Sequence, residues 1–113
     1  MNEQQLEILT FSKLPGGRKK QDGPYNAERF RTDFLVPALS GALAQNSVLS
    51  VILDGVLGYS SSFLEEVFGG LVRTKLFRNE DIKSHLKIVA NNRIYESARI
   101  DAQKYLDEAM RRI

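Results

Sequence analysis

Apolar residues along this chain switch between a two-residue period and a helical one. Leu6, Ile8 and Thr10 alternate with Glu7 and Leu9 ahead of Phe11, predicting a first strand over 5–11 that is exposed on one side. From Ala27 to Ala44, Phe30, Phe34, Leu35, Ala38, Leu39, Ala42 and Leu43 recur at three- and four-residue steps. That spacing predicts an amphipathic helix, N-capped by Asn26 and kinked or broken by Pro37 near Leu35. Val48 to Leu53 is apolar except for Ser50, predicting a strand covered on both faces in a parallel or mixed sheet. A second helix is expected from about Ser62, with Phe63, Leu64, Val67, Phe68, Leu71, Val72 and Leu76 as its stripe. Asn79 to Asp81 reads as a short helical turn or a loop, and Leu86 to Ala90 as a third strand. Asn92 caps a last helix, Arg93 to Ile113, whose inward face includes Ile94, Ala98, Ala102, Leu106 and Ile113. The order β, loop, α, β, α, β, α predicts a sheet flanked by helices with right-handed crossovers. Three strands make a thin sheet, so a further strand before the first helix, or an N-terminal hairpin, is left open.

Composition narrows the chemistry. A chain of 113 residues with 42% apolar content suits one domain with a single core. Sixteen basic against 14 acidic residues leave a net charge of +2, which does not mark a nucleic-acid binder. With no cysteine, disulfides, thiolate metal sites and a cysteine nucleophile are excluded. His85 is the only histidine, so neither a multi-His metal site nor an acid–base pair centred on two imidazoles is available. The expectation is a non-enzymatic protein without cofactor or metal. The N-terminus is polar and acidic and does not read as a signal peptide. No apolar run approaches the roughly 20 residues that span a bilayer. A cytoplasmic protein away from membranes is therefore expected.

Two stretches carry candidate chemistry. The irregular segment 12–25 contains Gly16, Gly17, Arg18, Lys19 and Lys20 between two turn signals. Approachable backbone N–H groups beside cations suit a phosphate or carboxylate, although the segment lacks the P-loop spacing and also reads as a solvated loop. The other stretch is the strand–helix turn, with Asp54 at the strand's end followed by Ser60, Ser61 and Ser62. Asp54 reads as a turn residue bonding backbone N–H groups, or as a lone cation ligand. Ser62-Phe63-Leu64-Glu65 matches a capping box, which is structural. Three serines exceed what a cap needs, and a phosphate at a helix N-terminus would act as a switch. Glu65 and Glu66 are adjacent and project about 100° apart on a helix, so they do not form a facing pair. Gly69 and Gly70 inside the helix imply close approach of a neighbouring backbone, or a bend.

The segment Val51 to Val56, with Ser60 to Leu64, resembles the STAS domain of anti-sigma factor antagonists. PGGR at Pro15 to Arg18, Asp22-Gly23, Phe30-Arg31 and SSSFLEEVFGGLVR at Ser60 to Arg73 more closely resemble the STAS-like family of uncharacterised bacterial proteins. The resemblance implies a single α/β STAS-like domain over 1–113. It would have a small mixed sheet and three main helices in βαβαβα order. It also implies a regulatory interaction module, with a protein partner such as a histidine-kinase-like ATPase or an anti-sigma-type factor. In antagonists of the sporulation type the turn reads Asp-Ser-Ser-Gly, and its second serine is phosphorylated. Position by position, Ser60 stands at the aspartate, Ser61 and Ser62 at the serines, and Phe63 at the glycine. Ser62 is then the implied acceptor, and an exposed Phe63 beside it would anchor a partner. The alternative function is a nucleotide or anion sensor built from the Gly16–Lys20 loop and the second helix's N-terminus. Oligomeric state is not legible.

Overall fold

The computed structural model describes residues 2–112. Strand β1 (Glu3–Glu7) is followed at once by a short helix α1 (Ile8–Phe11). Helix α2 spans 27–44, β2 is Val48–Ile52, and helix α3 spans 61–73. A short helix α4 (Asn79–His85) leads into β3 (Leu86–Val89), and α5 (Glu96–Arg111) closes the described chain. Among the described residues the fold is a small α/β domain of three strands and five helices.

The strands pair in the order β1-β2-β3, and both pairings are parallel, so the sheet is parallel rather than mixed. A monotonic order with right-handed crossovers places both connecting layers on one face. Burial agrees. Leu6, Leu49, Val51, Leu86 and Ile88 share the face that joins the core, and every helix contributes to that same core. Val48, Ile52 and Val89, on the opposite face, lie outside it. β2 is nonetheless buried on both faces, as its apolar run predicts, with Ser50 and Ile52 only 2% and 7% exposed on the second face. On the second face Ser50 is flanked in register by Gln5 and Lys87, and its hydroxyl is buried without a hydrogen-bond partner among the described residues. Among the described residues no additional strand or N-terminal hairpin forms.

Other departures from the periodicity have local causes. The first strand ends at Glu7 because Ile8 and Phe11, three residues apart, both reach the core from one helical turn. Thr10 supports that turn by donating to the Glu7 carbonyl at 2.7 Å. Asn26 caps α2 as expected, its Oδ1 accepting from the Arg29 N–H at 2.9 Å. Pro37 does not break α2; a π-helical turn at Arg31–Leu35 widens the helix just before it. Leu76 is exposed because α3 stops at Arg73. Ile94 is exposed because it belongs to a 3-10 turn (Arg93–Tyr95) that precedes α5. Ile113, expected on the last helix's inward face, lies outside the described residues. No described helix is long and apolar enough to cross a membrane.

Candidate functional site

At the C-terminal edge of the sheet, β2 gives way to Asp54 and Gly55. The Asp54 carboxylate accepts from the Asn91 N–H at 2.8 Å and the Asn92 N–H at 2.7 Å, tying the end of β2 to the end of β3. This is the turn-stabilising role, across strands rather than within one turn. Gly55 has φ +93°, a backbone conformation that favours glycine, and a Cβ there would also press on the Leu9 side chain. The chain then runs through Leu57, whose N–H donates to the Lys13 carbonyl at 2.7 Å, and Tyr59, whose hydroxyl donates to the Leu53 carbonyl. Burial pushes the Tyr59 hydroxyl pKa well up, so it stays protonated as a structural donor.

The serines divide their roles. Ser60, not Ser62, is the N-cap of α3: its Oγ accepts from the Phe63 N–H at 3.1 Å. The helix starts two residues earlier than the capping-box pattern implied. Residue N3 is therefore Phe63, and Glu65 is turned elsewhere. Ser62 is half-buried with its Oγ 3.2 Å from that of Ser60, while Ser61 is exposed. Ser60→Ala should lower stability by about 1 kcal/mol through loss of the cap. Ser62→Ala should change it by about 0.5 kcal/mol or less. Urea unfolding of the two variants checks the assignment.

Phe63 is fully buried among Phe30 and Tyr59, with ring centroids 6.3 Å and 6.2 Å away. Its reading as an exposed partner anchor is corrected: the helical stripe carries it into the core. The apolar surface beside the serines comes instead from Leu57 and Ile94, which are 77% and 76% exposed. They are the two most exposed large hydrophobic side chains among the described residues. Both line a cleft of about 310 Å³ that Ser61, Tyr59, Tyr95 and Asp101 also line. The sequence held a faint sign of it, since Leu57 is an apolar residue set between two turn glycines.

The basic loop lies against the middle of α3 and not at its serines. Two of its N–H groups are occupied by a carboxylate: Asp22 accepts from the Arg18 N–H at 3.0 Å and the Lys19 N–H at 3.1 Å. The Gly17 and Arg18 carbonyls accept from the Ala27 and Glu28 N–H groups, so the loop also closes the start of α2. Gly17 has φ +82°, and a Cβ there would overlap the Asp22 side chain. Gly16 donates its N–H to the Tyr25 carbonyl at 3.0 Å, and Lys20 points to solvent.

The side chains form a network. Arg18 Nη1 lies 2.7 Å from Glu65 Oε1 and 3.4 Å from Glu66 Oε1. Lys19 Nζ lies 3.1 Å from Glu28 and 3.9 Å from Glu66. Arg73 bonds both Glu65 oxygens, at 2.6 and 3.0 Å. Arg31, which lies off the apolar stripe of α2, is nevertheless buried, with its Nη1 2.7 Å from both the carbonyl oxygen and Oε2 of Glu66. The Arg73 hydrogen bond, joined by Arg18, holds the Glu65 carboxyl down at about 2. Burial alone would raise Glu66, but Arg31 with Lys19 and Arg18 more than offsets it, so its pKa is lowered. Gly69 and Gly70 are explained here. A Cβ at 69 would overlap Glu65 Oε2, and one at 70 would overlap Arg31 Nη1. The close neighbour is an ion pair, not a backbone.

An external anion would have to displace Asp22, Glu65 and Glu66 from this loop. Among the described residues no three His, Asp or Glu side chains converge as a metal-binding group. A family model described as a STAS-like domain of unknown function matches residues 26–96, from the cap of α2 to the first residue of α5. The match includes the serine turn, Leu57, Ile94 and the Glu65–Glu66 pair, and stops short of the basic loop. Comparison with curated proteins and with solved structures returned no match.

Proposed function

We propose a regulatory role for this chain, which belongs to the STAS-like domain family of unknown function: a non-catalytic module that binds a protein partner at the Ser60–Ser62 turn. The observation that carries this reading is the cleft beside Ser61, flanked by exposed Leu57 and Ile94. Apolar side chains so exposed around a concavity mark interaction sites more often than isolated exposed residues do. The partner class is an ATPase- or kinase-like protein, by analogy with STAS antagonists, which is a fold-level argument.

Phosphorylation of Ser61 or Ser62 would switch the surface. Ser61 is the better presented hydroxyl, since Ser62 is half-buried against Ser60. A phosphate there adds nearly two negative charges to a cleft whose one charged lining residue is Asp101. A partner reading the unmodified cleft would be repelled, and backbone N–H groups at the start of α3 would hold the new anion. An anion sensor built on the Gly16–Lys20 loop is the weaker reading, because the backbone and side-chain donors of Arg18 and Lys19 already have carboxylate partners.

Co-expression with the products of neighbouring genes, an ATPase-domain protein first where one is encoded there, tests the proposal. A stable complex is expected, with a mass gain of about 80 Da on the serine turn when ATP is supplied. Absence of both a complex and a modification with every neighbouring product would reject it.

A further inference from the structure

We propose that the opposite end of α3 carries a second docking surface, which takes an acidic protein segment bearing a large apolar side chain. A groove of about 520 Å³ runs between the C-terminal ends of α3 and α5 and the start of α4. Val72, Phe77 and Met110 contribute apolar walls, and Arg73, Lys75, Arg78 and Arg112 supply charge. Among the described residues no carboxylate lines it. The chain as a whole is nearly neutral, so this is a local concentration of one sign around an apolar concavity.

Two of the four cations are committed elsewhere: Arg73 lies 2.6 Å from Glu65, and Arg78 lies 3.1 Å from Asp81. Attraction of an anion therefore falls to Lys75 and Arg112. Cations at two helix C-termini also complement the helix dipoles, which accounts for charge there but not for an open apolar groove. Lys75 adds an independent observation. It follows the end of α3 with φ +57°, the left-handed position where glycine is the usual residue. A lysine there gives up glycine's conformational ease and keeps a cation at the groove. Leu76, next in the chain, is 63% exposed and extends the apolar surface.

The shape selects among anions. A concave apolar groove accommodates a side chain, whereas an amphipathic element that binds lipid presents a protruding apolar face. Nucleic acid requires a longer run of phosphate contacts than two available cations provide. An acidic segment with leucine or phenylalanine among its carboxylates satisfies both the walls and the rim.

Fluorescence anisotropy tests this with a labelled synthetic peptide of glutamates interrupted by leucine and phenylalanine. The comparison probes are the same peptide with serine at the apolar positions, a single-stranded RNA, and phosphatidylserine vesicles. The acidic apolar peptide should bind best, and Lys75→Glu with Arg112→Glu should weaken it about tenfold. Lys75→Gly suits the local backbone, so that variant should stay folded by its melting temperature while binding the peptide less tightly. No binding of the peptide, equal binding of its serine form, tighter binding of RNA or vesicles, or an unchanged affinity in folded Lys75→Gly would each overturn the proposal.

Discussion

Glu66→Leu should destabilise the domain by about 3–5 kcal/mol, the usual cost of stranding one member of a buried ion pair. Arg31 and Glu66 side chains are only 9% and 10% exposed, and their contact is 2.7 Å. Leucine removes the carboxylate while the guanidinium, which does not deprotonate, keeps a single carbonyl acceptor in Glu66 itself. Arg31→Met should cost less, because Glu66 retains Arg18 at 3.4 Å and Lys19 at 3.9 Å. The double variant Arg31→Met/Glu66→Leu leaves no buried charge unpaired at this contact, and should recover most of the loss. For a domain with a total stability of about 5–15 kcal/mol, Glu66→Leu alone brings the protein near its threshold. Denaturant titration of the four proteins measures the cycle. Equal, small effects of both single changes would show that the pair contributes little.

Gly70→Ala and Gly41→Ala should move stability in opposite directions. Both glycines lie inside helices, where alanine is intrinsically favoured by about 1 kcal/mol. At Gly41 an added Cβ meets nothing within 4 Å, so the variant should gain about 0.5–1 kcal/mol. At Gly70 the same methyl overlaps Arg31 Nη1 and comes within 3.1 Å of Glu66 Oε2. An arginine tip normally moves aside at little cost, but this one is buried and held at two acceptors. The net loss should be about 2–4 kcal/mol, the cost of breaking the buried pair less the helical gain. Thermal melts of the two variants report the sign directly, and a stabilised Gly70→Ala would mean that the guanidinium has room to shift.

The sequence disclosed what local rules govern. The apolar run of β2 and the Asn26 cap are dictated by neighbours a few residues away or by strand burial. Asn92 caps the 3-10 turn ahead of α5 rather than α5 itself, and Asp54 takes its backbone partners 37 and 38 positions away. What it concealed depends on partners far along the chain. Arg31 sits on a polar-looking face of α2, and only Glu66, 35 positions later, explains its burial. The paired glycines signalled a close neighbour, but it is a set of ion-paired side chains and not the backbone they suggested. The cap shifted from Ser62 to Ser60 because any of three consecutive serines can serve, and packing of Phe63 fixes the register. Ile94 reads as inward-facing only because the helical period is extended through a 3-10 turn, and Leu57 escaped notice because periodicity identifies residues that turn inward. It has no rule for apolar residues left outside. The basic loop looked like an anion site because the carboxylates that fill it come from Asp22 and from α3.

Binding of the ATPase-domain partner to Leu57→Asp/Ile94→Asp, compared with the unaltered chain by isothermal titration calorimetry, tests the partner surface most directly. Both side chains project into solvent, so the double variant should keep its melting temperature within a few degrees, as surface substitutions usually do. If the cleft beside Ser61 is the docking surface, affinity should fall by about tenfold or more, since apolar anchors at an interface centre each contribute more than about 1 kcal/mol. An unchanged affinity in the folded double variant would contradict the assignment of partner binding to this turn.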